Sequence, residues 1–412
     1  MSLSYWLTNV RLESGYQYEN DRVTGTETEI CHIRIEDGKI AQIVSGAPPQ
    51  WGDLPIKDAK QLLMLPSFKE MHIHIDKTYY GGPWRAVRPV AGIFGRIEEE
   101  RELLPKLLPT AQERAEKMLD LLLGFGSTHV RTHCNIDPVI GLKNLEATMR
   151  ALESFSGKIS CEVVAFPQHG LLRSQATDLI RQAMRQGAAF VGGVDPATVD
   201  ENIEKSLQTI MDIAVEANAG IDVHIHDRDH LGIFTMNRLA DLTEEAGWQG
   251  RVTVSHAFGF AGAPAGAAAE LAERFAALGI SVTSTVPIGA AQMPIPMLHE
   301  KGVKVELGND SITDHWSPFG IGDNLEKAGR LAELYRYIDE LSLAQALGFI
   351  TGGRTVLNQE GKRVWPAVGD EANVVFVHAS CSAEAVARRA KREAVLFGGA
   401  IVSGSLKDAT AR

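Results

Sequence analysis

Between about residue 61 and residue 312, eight short runs of β-forming residues, each ending in polar side chains, alternate with longer amphipathic stretches. The runs are 62–74, 128–135, 159–168, 190–195, 221–227, 251–257, 280–286 and 303–310. The stretches 111–123, 179–186, 203–217 and 235–246 carry apolar residues at three- and four-residue spacing, the period of a helix with one buried face. Alternation of this kind is the pattern of repeated βα units, in which successive strands lie parallel. Eight parallel strands close into a (β/α)8 TIM barrel, and loops at the carboxyl ends of its strands build the active site.

The flanks have a different rhythm. Residues 1–60 and roughly 360–412 hold short alternating segments around turn signals such as Asp37-Gly38 and Gly398-Gly399. Both chain ends are therefore expected to form one small β-sandwich domain, residues 1–60 and 356–412, around a barrel spanning 61–355. Directly after the first barrel strand, residues 78–101 form an insertion rich in Gly, Pro and aromatics.

Charge and cysteine usage narrow the function. A formal net charge of -11 is spread without a basic run, which argues against a nucleic-acid partner. Cys31, Cys134, Cys161 and Cys381 are far apart and form no CxxC, so neither a disulfide framework nor a thiolate zinc site is indicated. No apolar run is long enough to cross a bilayer and the amino terminus does not read as a leader, so a cytoplasmic protein is expected.

Several strand ends carry metal-ligating side chains. His72 and His74 at the end of the first run share a period of two, which places both imidazoles on one side of the strand. The fifth run ends in His224-Ile225-His226-Asp227, the sixth in Ser255-His256 and the eighth in Gly308-Asn309-Asp310. Four separate strands thus bring His or Asp to one rim, and these residue types hold zinc or ferrous iron while leaving a position open for water.

At this point the sequence resembles the amidohydrolase superfamily, within it the branch containing cytosine deaminase and isopropylammelide amidohydrolase. The marks are Leu65-Pro66-Ser67-Phe68 leading to His72-Ile73-His74-Ile75-Asp76-Lys77, then Val130-Arg131-Thr132-His133 and Phe166-Pro167-Gln168. Asp195, His224, Val252 to His256, and Asp310 with Asp314-His315-Trp316-Ser317-Pro318 complete the set.

The resemblance implies one divalent metal, Zn2+ or Fe2+, held by His72, His74, His224 and Asp310. The fourth run lacks the lysine that would bridge a second metal when carboxylated. A divalent cation lowers the pKa of a water it binds, and Asp310 would take up that proton while His256 orients the hydroxide or steadies the developing negative charge. Asp227 stands where the deaminases place a Glu that protonates the leaving amine, with His226 and Lys77 as rivals. Gln168 offers an amide donor and acceptor for the edge of a ring, and Trp316 a face to stack on it. Lys77 and Asp195 complete the expected substrate contacts, and Lys77 resembles the isopropylammelide-type pattern. His129, His133 and His169 are expected to be structural or to support the ligands from behind.

The expected function is hydrolysis of a C–N bond in a small nitrogen heterocycle, foremost a cytosine deaminase-like release of ammonia from a cyclic amidine. Release of an alkylamine from an N-substituted triazine-like ring is the alternative. A catalytically silent binding protein is a third reading, which retention of all four metal-ligand residues argues against. The resemblance also implies a homo-oligomer.

Overall fold

The computed structural model describes residues 3–289 and 292–409. Eight parallel strands form its central sheet in sequence order: β1 (Phe68–Ile73), β2 (Ser127–Asn135), β3 (Ser160–Phe166), β4 (Phe190–Val194), β5 (Gly220–His224), β6 (Val252–Ser255), β7 (Ser281–Ser284) and β8 (Val305–Leu307). A parallel bridge between Ile73 and Asp310 joins the last strand's end to the first and closes the barrel. The expected (β/α)8 architecture is therefore present.

Helices cover the outside because each turns one apolar stripe inward. In Ile203–Ala217, Leu207, Ile210, Met211 and Ala214 are buried at helical spacing. The Asn202 side chain accepts from Lys205 N to cap the first turn, and Asn218 in the left-handed region ends the helix. Burying a Leu, Ile or Met side chain contributes about 2 kcal/mol, so the stripe outweighs the modest helix propensity of its β-branched residues.

A second, nine-stranded sheet is assembled from both chain ends and is mostly antiparallel. Val374–Val377 pairs with Leu63–Pro66, which immediately precedes β1. The run at 62–74 is thus two strands rather than one, separated at Ser67, with the first half serving the small sheet. Arg392 fastens this sheet to the barrel through a buried ion pair with Asp323 and a bond to the Phe125 carbonyl at 3.2 Å.

The insertion after β1 contains a 16-residue helix, α1 (Gly92–Leu107). It buries Arg96, Glu99 and Glu100 beside Ile97, Leu104 and Leu107. Among the described residues, no helix is long and apolar enough to cross a membrane.

Candidate metal centre

The β1 and β8 ends are forced together by their sequence. A Cβ built on Gly308 would lie 2.5 Å from His72 Cβ and 2.6 Å from its backbone nitrogen, so only glycine permits the approach. Glu70 staples the two strands: its Oε1 accepts from His72 N at 3.1 Å and Asn309 N at 2.8 Å, and its Oε2 from Asn309 Nδ2 at 2.5 Å. Asp310 N donates to the His72 carbonyl at 2.6 Å, which fixes the carboxylate over the barrel axis.

Asp310 Oδ1 lies 3.5 Å from His72 Nε2 and 3.4 Å from His74 Nε2, while its Oδ2 is 4.0 Å from His256 Nε2. Two groups of donors converge closely enough to hold one ion: His72, His74 and Asp310, and His72, His133 and His224. The ring centres of His72 and His224 are 4.6 Å apart, and those of His72 and His256 4.8 Å. The structure thus brings His72, His74, His224, His256 and Asp310 into one cluster.

His133, read from the sequence as structural or as a support behind the ligands, lies in that cluster itself. Both of its nitrogens are buried without a hydrogen-bond partner among the described residues. Its signal was the alternation Arg131, His133, Asn135, which puts three polar side chains on one face of β2.

The electrostatics suit a cation. Burial, reinforced by neighbouring Lys77, pushes the His74 pKa down to about 3. Burial likewise drives His224, His133 and His256 well below the ordinary imidazole range. Burial would by itself raise the pKa of Asp310, but the ring nitrogens of His72 and His74 beside it, at 3.5 and 3.4 Å, hold it well below the usual carboxylate range. Neutral imidazoles around an ionised carboxylate are the donor set a divalent ion takes. Among the described residues, His72 Nε2, His74 Nδ1 and both nitrogens of His224 are buried with no hydrogen-bond partner, which costs free energy unless something satisfies them.

One relay orients His72. Arg131 pairs with Asp222 at 3.1 Å, Asp222 accepts from Ser255 Oγ at 2.6 Å, and Ser255 Oγ lies 2.9 Å from His72 Nδ1. Since the single hydroxyl proton goes to Asp222, Ser255 accepts from His72 Nδ1–H, and Nε2 is left as the bare donor.

Beside the cluster lies a second set of polar side chains. Lys77, 1% exposed, donates to Gln168 Oε1 at 3.0 Å and reaches Glu100 at 3.4 Å. Trp316 Nε1 also donates to Glu100, at 2.8 Å, and the Lys77 ammonium sits 5.3 Å from the Trp316 ring centre. Burial opposes the Lys77 charge, but Glu100 and nearby aspartates outweigh it and raise the lysine pKa. Sequence reasoning found Lys77, Gln168 and Trp316 but missed Glu100, which lies in an acidic stretch of α1 resembling a solvated face.

Asp195, at a positive φ of 37°, accepts from His226 N at 2.6 Å and lies 2.8 Å from His226 Nδ1. It therefore holds His226, whose ring centre is 4.4 Å from that of His256. One Asp227 oxygen is taken by Thr198; Oδ2 is buried without a hydrogen-bond partner among the described residues, and burial raises the carboxyl pKa.

The geometry agrees with comparisons to known proteins. Residues 56–403 match the model of a family described as the Amidohydrolase family. The chain is 33% identical over 355 residues to N-isopropylammelide isopropyl amidohydrolase of Pseudomonas sp. (strain ADP), covering 84% of this chain and 87% of the relative. The crystal structure of N-isopropylammelide isopropylaminohydrolase from Burkholderia multivorans ATCC 17616 superposes with a TM-score of 0.85 at 28% identity, covering 97% of each chain. That of 5-methylcytosine deaminase from Klebsiella pneumoniae gives 0.78 at 25% identity, covering 99% of each.

Proposed function

Because this chain belongs to the amidohydrolase family, whose members hydrolyse C–N bonds, we propose that it removes an amine from a carbon of a small, oxo-substituted nitrogen heterocycle. The proposal places a single divalent ion on His72, His74, His224 and Asp310. Such an ion supplies a water of lowered pKa and a positive charge for the developing negative one.

This chain's side chains do the rest. Asp310, held ionised, accepts the proton of the attacking water on Oδ2, the oxygen facing His256. His256, kept neutral by burial, hydrogen-bonds to the attacking oxygen and orients it toward the ring carbon. Asp227 donates through Oδ2 to the leaving amine, its raised pKa keeping a protonated form within reach. Asp195 fixes His226 beside His256.

The carrying observation for the ring is the bond from Lys77 to Gln168. An ammonium has no lone pair, so Gln168 must turn its oxygen toward Lys77 and present its amide N–H groups elsewhere. The pair then offers donors only, and the edge that fits is one of ring carbonyl oxygens or a deprotonated ring nitrogen. A plain cyclic amidine edge, with its own donors, fits less well.

Ammonia is the expected leaving group, as the similarity to 5-methylcytosine deaminase supports. A second reading, in which an alkylamine leaves, is favoured by the similarity to the N-isopropylammelide relatives. Metal-loaded protein is to be screened for ammonia and alkylamine release from aminopyrimidines, aminopurines, creatinine and N-alkylamino-triazines. Turnover confined to rings carrying at least one carbonyl supports the assignment. Activity only on rings without one, or none with any heterocycle, overturns it.

A further inference from the structure

Glu100 is fully buried and belongs to no barrel strand. Its Oε1 accepts from His315 Nε2 at 2.6 Å and Trp316 Nε1 at 2.8 Å and meets Lys77 Nζ at 3.4 Å. Its Oε2 accepts from His169 Nε2 at 3.0 Å and Asn135 Nδ2 at 3.4 Å. One carboxylate from α1 therefore ties together residues that follow β1, β3 and β8, together with the last residue of β2.

We propose that Glu100 is the positioning residue of the substrate-gripping set, the clasp by which the inserted helix aims Lys77 at Gln168 and fixes the plane of Trp316. The inference rests on the gripping role proposed above for those three residues. Three observations favour it over ordinary packing. A buried carboxylate with five donors is over-supplied for neutrality alone, since Lys77 already balances its charge. Burial would raise its pKa, but Lys77 and hydrogen bonds from His169 and His315 hold it well below the ordinary value, so it remains an acceptor for every donor. Without its pull, Lys77 has a choice of acceptors, because Asp76, Asp314 and Asp310 also act on its charge. Released toward them, it would free Gln168 Oε1 and undo the donor-only edge. Arg96 closes the arrangement from the same helix, 5.8 Å from the Trp316 ring centre and paired with Glu99.

The test is Glu100→Gln, which keeps the shape and removes the charge. Two readouts need no turnover: acetylation of Lys77 by acetic anhydride, followed by peptide mass spectrometry, and the Trp316 emission, taken as the difference from a Trp316→Phe background. Lys77 labelling is expected to rise about tenfold or more and the Trp316 emission to shift, with metal content unchanged. On a substrate found in the screen, KM rises by about tenfold or more while kcat falls far less, the split of a lost binding interaction. Glu100→Asp recovers part of each effect. Unchanged labelling and emission in a folded, metal-loaded Glu100→Gln overturn the proposal. Should that variant fail to fold, Glu100→Gln with Lys77→Met removes the uncompensated buried charge. A soluble, metal-loaded double variant with a shifted Trp316 emission then supports the clasp, and a second failure to fold assigns Glu100 to stability alone and overturns it. If no heterocycle is hydrolysed, the proposed function falls, while labelling and emission still decide the role of Glu100.

Discussion

Neutral imidazoles packed this closely make the protein sensitive to acid in a particular window. His74, His133, His224 and His256 all have folded pKa values pushed below the ordinary value, to about 3 for His74. The unfolded chain therefore binds more protons on these residues than the folded one once pH falls below about 6.5. Their contribution to stability is fully present above that value and is lost as pH falls toward the folded pKa values. Chelator-treated protein is expected to lose thermal stability steadily as pH falls from about 6.5 to about 5, and added divalent metal to move the loss to lower pH, because a bound cation competes with protons for the same nitrogens. Scanning calorimetry at stepped pH checks this. A flat Tm across the window in the absence of metal would contradict it.

Strands and the loops after them explain which residues were readable in advance. The imidazoles of His72 and His74 could be paired from sequence because a strand repeats every two residues, and the eight runs were visible because each barrel strand is a short apolar segment with a polar end. The break at Ser67 was hidden, since only that one residue separates Leu63–Pro66 from β1 and both are extended, differing in the sheet they join. Glu100 was illegible for a related reason: it sits among Glu98, Glu99 and Glu102 in the insertion, and only the tertiary fold turns that part of α1 inward. The glycine at the end of β8 offers a sharp test at this scale. Gly308→Ala should drive the two strand ends apart at His72, so loss of nearly all metal binding is expected even in preparations that remain soluble. Elemental analysis and circular dichroism read this together; normal metal content in the variant would show that the strands can part without disturbing the site.

For the molecule as a whole, the chain ends are structural partners of the barrel. Val374–Val377 lies against Leu63–Pro66, and its Val375 and Phe376 side chains are fully buried. Removing residues 374–412 would uncover apolar side chains and leave the Leu63–Pro66 strand as an open edge, a template for intermolecular pairing. Such a truncation is expected to accumulate in the insoluble fraction on expression. Recovery of a soluble, metal-binding barrel from it would show that the small sheet is dispensable.

The seam of the barrel is written in the backbone of the residues proposed to hold the ion. Ile73 bridges Asp310, Asp310 N bonds to the His72 carbonyl, and His74 N reaches the Asp310 carbonyl at 3.4 Å. These residues are more than two hundred positions apart in the sequence. A chain emerging from the ribosome thus has His72 and His74 long before Asp310 exists, and the full ligand set comes into being only when the last strand docks on the first. Metal capture then acts as an inspection of finished work: an ion present at about a thousand times its dissociation constant favours the closed chain by about 4 kcal/mol and does nothing for an open one.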